Sequence, residues 1–185
     1  MEKWIPSYEG TLRSHLLTVP ESIRACGGIR IFGRRIKSLV FSTDVAIIKN
    51  VDADGVIAVY PFTPQPTIAQ AIISVSDMPV LVGVGGGVTN GDRSVRLAAF
   101  AGHQGAFGVV VNAPLANEVV TAIKEVVDIP VVATIVPSGQ DIAGRVAAGA
   151  DILNVSAAAD TPALVAQIRR EYPTIPIMAT GGPTD

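Results

Sequence analysis

Hydrophobic and polar positions along the chain sort into short unbroken apolar runs separated by longer stretches of helical period. Three runs begin alike: "DMPVLVGVGGG" at 77, "DIPVVATIVPSG" at 128 and "TIPIMATGGPTD" at 174. Each sets a proline at a strand entrance, where the missing N–H does least harm to a ladder. Three others interleave with them: "ADGVIAVYP" at 53, "QGAFGVVVNAP" at 104 and "AGADILNVSA" at 148. Pro79 and Pro130 are 51 residues apart and Pro130 and Pro176 are 46 apart, so the repeating unit is a pair of strands.

Helical patterns fill the intervals: Thr67 to Val75, Asp92 to Ala101, Asn117 to Val127, Gln140 to Ala148 and Pro162 to Tyr172. In the third, Val119, Val120, Ile123, Val126 and Val127 make one apolar face, with Glu118, Lys124 and Glu125 off it. Strand, helix and strand repeated at this length mean parallel crossovers. With "IKSLVFSTD" (36–44) as the first parallel strand and a short helix through Ile47 and Ile48, the chain carries seven strands.

Near-equal spacing and a threefold pair repeat favour rotational closure, a TIM-type (β/α) barrel, over a doubly wound open sheet. Eight strands close such a barrel, so the last βα unit is expected to be missing from residues 1–185. The whole reads as one α/β domain. A helical segment and a hairpin within about residues 1–35 precede the first parallel strand, and "IRIFGRRIKSLVF" supplies the hairpin with a Gly-containing turn that could plug the barrel's bottom. Unpaired edges on the first and seventh strands would seek a second copy of the chain, giving a homo-oligomer, or take the hairpin into the gap.

Composition sharpens this picture. Hydrophobic residues make up 49% and charged residues 16%, which suits strands buried on both faces. A formal net charge of -2 provides no basic field, and "RIFGRRIK" reads as a solvated hairpin surface, so nucleic acid is not an expected partner. Cys26 stands alone, which excludes an intramolecular disulfide framework and fits a reducing compartment. No apolar run approaches the ~18 residues of a membrane span and the N-terminus lacks the core of a signal peptide, so the expected location is cytoplasmic, away from the membrane.

Barrel sites lie where strands end and βα loops begin. "GVGGGVTNGDR" puts Gly85, Gly86 and Gly87 at such an end, ahead of a helix starting near Asn90 to Asp92, an arrangement that opens backbone amides to an anion. "TGGPTD" repeats the logic with Gly181, Gly182 and Thr184. Arg93 is the cation nearest a glycine loop. Asn112, Asn154 and Ser156 end other strands, as do Thr134 and Thr180. Gly85, Gly86, Gly87, Arg93, Asn112, Asn154, Ser156, Gly181, Gly182 and Thr184 define the expected site for a small phosphorylated ligand or inorganic phosphate.

Candidate proton-transfer groups are few. Asp44 follows an apolar strand beside Ser42 and Thr43; it is either the catalytic carboxylate or a helix N-cap. Asp92 has the same two readings, leaning to capping. His103 falls between a helix and a strand on the far face, as a surface residue. No lysine stands at an inward strand end to form a Schiff base, and no converging His, Asp and Glu set suggests a metal. No cofactor is implied.

The segment "AAGADILNVSA" with "IPIMATGGPT" is similar to the corresponding region of the phosphate-binding (β/α) barrels, among them keto-deoxy-phosphogluconate aldolase and thiazole synthase. That resemblance implies a phosphorylated small molecule at Gly181 and Gly182. The aldolases carry their Schiff-base lysine where this chain has Asn154, and the barrel lysine of thiazole synthase has no counterpart here, so neither activity carries over. "RRIKSLVFSTDVAIIKN", "AVYPFTPQP", "VGVGGGVTNGDR" and "MATGGPTD" resemble a group of bacterial barrel proteins labelled simply "hydrolase", whose members continue into a further helix and strand. The label implies no substrate. Two function classes follow: an enzyme of the phosphate-binding barrel type, with hydrolase, lyase or isomerase chemistry open to it, or a non-catalytic ligand-sensing barrel.

Overall fold

The computed structural model describes residues 3–8, 10–12, 17–136 and 141–181. A one-turn helix, α1 (Glu21–Arg24), and a hairpin of β1 (Ile29–Ile31) and β2 (Arg34–Ile36) come first. Strands and helices then alternate: β3 (Leu39–Phe41), α2 (Val45–Asn50), β4 (Gly55–Ala58), α3 (Pro66–Val75), β5 (Val80–Gly85) and α4 (Asp92–His103). The second half continues with β6 (Gly108–Val111), α5 (Asn117–Val126), β7 (Val131–Ile135), α6 (Ile142–Ala147), β8 (Ile152–Val155), α7 (Thr161–Glu171) and β9 (Ile177–Ala179).

Strands β3 to β9 lie side by side in chain order in one seven-stranded sheet. Every neighbouring pair is parallel, including β5 and β6, where Leu81 faces Gly108 and Val82 faces Val109. The strand order never reverses, so the doubly wound alternative does not hold. The sheet curls instead, and alternate residues sort to two sides as strand geometry requires. Ile57, Leu81, Val110, Val132, Ile152 and Met178 form an interior cluster, while Val56, Val82, Val109, Val131 and Leu153 pack against the helices. Burying each of these side chains contributes about 1.5–3 kcal/mol. Among the described residues β3 and β9 pair on one side only, and the result is an open barrel.

The apolar face read for α5 is the one that packs: Val120 and Ile123 are fully buried. Helix α6 begins at Ile142, two residues later than its pattern suggested, because the Asp141 side chain accepts from the Gly144 N–H and fixes the start. Gly91, rather than Asp92, occupies the N-cap of α4, which corrects the capping reading of Asp92. His103 ends that helix and is exposed, as expected.

Phe32 and Gly33 turn the hairpin with φ of 46° and 81°. Two successive left-handed residues match the right-handed twist of hairpin strands. The Phe32 ring meets Phe107 edge-on at 5.5 Å, and the Arg34 guanidinium lies 5.6 Å from the Phe107 ring centre. Ile31 and Ile36 join the interior cluster, so the hairpin closes the bottom of the barrel. It remains a separate two-stranded sheet and does not add a strand to β3 or β9, so the expectation that it fills the gap is not met.

Two aspartates tie the bottom together. Asp54, just before β4, accepts from the Lys37 and Ser38 N–H groups at 2.9 and 3.0 Å and pairs with Arg24 at 3.2 Å. Asp151, just before β8, accepts from the Val131 N–H at 2.8 Å and from Lys124 Nζ at 2.7 Å. Both link the start of one strand to the start of the strand before it. Burial pushes the Asp54 carboxyl upward, but the Lys37 and Ser38 hydrogen bonds and the Arg24 charge outweigh it and leave the group below its ordinary value.

Candidate functional site

Inward-facing positions continue past the interior cluster to the C-terminal strand ends. Two residues beyond Val110, Val132, Ile152 and Met178 stand Asn112, Thr134, Asn154 and Thr180, brought to one place by the period-2 alternation of the strands. With Ser156 and Gly181 they form the polar side of a cavity of about 510 Å3. Ile57 and Val110 of the interior cluster make its floor, and Phe41, Val59, Tyr60 and Pro61 its apolar wall. Among the described residues lining it, Tyr60 alone is ionisable, and its hydroxyl accepts from the Gln65 N–H at 2.9 Å.

Asn154 is buried at the centre. Thr180 Oγ1 donates to Asn154 Oδ1 at 2.9 Å, and Asn154 Nδ2 lies 3.4 Å from Thr134 Oγ1. The side chains of Asn112 and Ser156 have no hydrogen-bond partner among the described residues. The polar atoms of this mouth are thus partly free.

The glycine turn adjoins the cavity through Asn112. A register shift between Gly83 and Gly85 lets the end of β5 bulge, and the Asn112 N–H donates to Gly85 O at 2.9 Å. A Cβ on Gly86, whose φ is 130°, would run into the Asn112 side chain and lie 3.1 Å from its Cα. One on Gly85 would strike Ser94. Gly87 has φ of 68° and open space around it. Close packing at two positions and backbone conformation at the third therefore account for the three glycines. The Gly86 N–H is already bonded to Thr89 O at 2.9 Å, whereas the amides of Gly87 and Val88 have no acceptor among the described residues.

Of the residues expected at the site, Asn112, Asn154, Ser156 and Gly181 converge on the cavity. The turn of Gly85, Gly86 and Gly87 stands beside it. Arg93 is exposed on the first turn of α4 and is not part of the lining. Asp44 caps α2: its Oδ1 accepts from the Ala46 and Ile47 N–H groups at 2.7 and 3.2 Å. It stands on the same rim, outside the lining. Gly182 and Thr184 fall outside the described residues.

One cation near the mouth escaped the sequence reading. Arg145 on α6 is 7% exposed and donates through Nη2 to Ala113 O at 2.5 Å, holding the loop that carries Asn112. Burial lowers its pKa and the neighbouring Asp141 opposes that shift. A lone arginine in the otherwise small-residue stretch "IAGRVAAGA" was the available signal.

No sequence-family profile matches the chain, and no curated protein matches it. Solved structures match in shape. A phosphonopyruvate hydrolase in complex with oxalate and Mg++ superposes with a TM-score of 0.62 at 14% identity, covering 79% of this chain and 67% of that one. A phosphoenolpyruvate phosphomutase from Streptomyces platensis subsp. rosaceus gives 0.62 at 15% identity, covering 85% and 69%. Dihydrodipicolinate synthase from Aquifex aeolicus gives 0.53 at 18% identity, covering 69% and 52%. The chain therefore spans about half the length of the dihydrodipicolinate synthase structures it matches. At these identities the likeness establishes the TIM-barrel fold, which is the fold of enzymes in each of these cases. Among the described residues no helix is long and apolar enough to cross a membrane.

Proposed function

We propose that this chain belongs to an enzyme of the phosphate-binding barrel type that acts on a small phosphorylated metabolite at the C-terminal mouth. The observation that carries the reading is the convergence of partly uncommitted polar side chains over a 510 Å3 cavity, beside a glycine turn with two unbonded amides. Backbone N–H groups at a strand end are suited to a phosphate because they present donors without a side chain in the way. In this reading the amides of Gly87 and Val88 face the phosphate from one side, with Gly181 on the other. Two structural neighbours are named for phosphonopyruvate and phosphoenolpyruvate, which agrees with a small phosphorus-bearing ligand.

Asp44 is the carboxylate assigned to proton transfer. Its Oδ1 is committed to α2, and its Oδ2 has no partner among the described residues. The neutral lining favours a second reading, a ligand-sensing barrel without catalysis. Asp44→Asn separates the two, since Asn caps a helix as well as Asp: on a phosphorylated substrate found by screening, the enzyme reading expects turnover to vanish with stability held. Full activity in that variant leaves Asp44 a cap.

Calorimetric titration with inorganic phosphate tests the site itself. Among the described residues a Cβ on Gly181 meets nothing within 4 Å, so Gly181→Val adds bulk to the mouth without displacing any of them. Phosphate affinity is expected to fall about tenfold or more, the equivalent of one or two lost hydrogen bonds. Unchanged affinity removes the site. Gly86→Val is uninformative here, because its side chain would collide with Asn112 whether or not an anion binds.

A further inference from the structure

A buried primary amide has two N–H donors and two acceptor lone pairs to satisfy. For Asn154, 4% exposed, the chain supplies one partner to each end: Thr180 Oγ1 at Oδ1 and Thr134 Oγ1 at Nδ2. Among the described residues, one N–H and one lone pair are left over. The same accounting holds next to it. Thr134 is an acceptor in that bond, so its own proton has no acceptor among the described residues, and the Asn112 amide is uncommitted. All of these groups are neutral. A hydroxyl or carbonyl oxygen entering the cavity finds donors and acceptors to replace its water, whereas a carboxylate gives up its hydration with no cation among the described lining residues to compensate.

We propose that Asn154, held in orientation by Thr180 and Thr134, is the specificity-determining residue of the mouth, and that it reads a neutral oxygen on the carbon skeleton of the phosphorylated ligand. This rests on the reading of the mouth as a phosphate-ligand site, and it narrows the ligand to phosphate esters of a neutral, hydroxyl- or carbonyl-bearing skeleton. The remainder of such a skeleton lies along Ile57, Val59 and Tyr60.

The test measures binding of four probes to the whole chain by calorimetry: inorganic phosphate, glycerol 3-phosphate, n-propyl phosphate and 3-phosphoglycerate. Glycerol 3-phosphate is expected to bind about tenfold tighter than n-propyl phosphate, which lacks the hydroxyls, and than 3-phosphoglycerate, which replaces one end with a carboxylate. Asn154→Leu should bring the first ratio within about twofold. Thr134→Val, nearly isosteric, should lower the same ratio and serves if Asn154→Leu does not fold. A wild-type ratio within about twofold, or a ratio that survives both substitutions, overturns the proposal. If no phosphate compound binds, the phosphate reading has failed separately, and glycerol against 1-propanol decides the role of Asn154 through its side-chain amide resonances. A shift with glycerol alone supports it, and any other result overturns it.

Discussion

The two ends of the barrel use polar residues in opposite ways. At the bottom, three aspartates are committed: Asp54 holds two backbone amides and Arg24, Asp151 holds the Val131 amide and Lys124, and Asp52 holds the Val19 amide and Arg24. At the top the lining groups are neutral, and several have hydrogen-bonding capacity to spare. A polar group that is fully bonded within the chain holds strands in register and has little left for a ligand. One left partly unbonded at a cavity contributes little to stability and is available for binding. In the proposed reading, the contrast puts stability at one end and recognition at the other.

The largest effect should come from breaking the bottom at Asp54. Asp54→Ala leaves the Ser38 N–H, in a buried residue, without its acceptor and is expected to cost about 2–3 kcal/mol in denaturant unfolding. Asp151→Ala strands a single buried amide, that of Val131, and is expected to cost about 1–2 kcal/mol; the Lys124 pair is more than a third exposed and adds little. Neither change should alter phosphate affinity at the mouth, as a calorimetric titration of each variant would show. A loss of binding that tracks either substitution would break the separation of the two ends.

Acid sharpens the same contrast. The Asp54 carboxyl sits below its ordinary value of 3.8 in the folded chain, so the unfolded chain takes up its proton first as pH falls. Its contribution is complete above that value and is lost as pH drops through the lower folded one. Asp54→Asn should therefore flatten the decline of stability below about pH 4, as urea midpoints across the range would record. The smallest effect on stability belongs to the top: Asn112→Ala removes an amide without a partner among the described residues and should shift unfolding by less than about 0.5 kcal/mol, while weakening glycerol 3-phosphate binding measurably.

Much of the fold was legible because its signals are local. Prolines at 79, 130 and 176 mark strand entrances, and the 3.6-residue period of Val119 to Val127 marks both a helix and its buried face. The mouth was legible in part: Asn112, Asn154 and Ser156 follow from strand parity alone. What parity does not disclose is which groups the chain consumes for itself. Asp44 spends Oδ1 on a helix start, Gly85 and Gly86 make room for Ser94 and Asn112, and Arg145 is buried under a loop 32 residues away in sequence. The bottom aspartates had a signal that went unread, an Asp immediately before Gly55 and another immediately before Ile152, in the same strand-pair phase.

The central claim, that the C-terminal mouth is where this protein meets its ligand, is tested most directly by mapping amide chemical shifts while inorganic phosphate is titrated in. Shifts concentrated at Gly87, Val88 and Gly181, with the Asn154 and Asn112 side-chain amides following when glycerol 3-phosphate replaces phosphate, are the result predicted. Shifts confined to the arginines and lysines around the hairpin at the bottom, with the mouth silent, would contradict it.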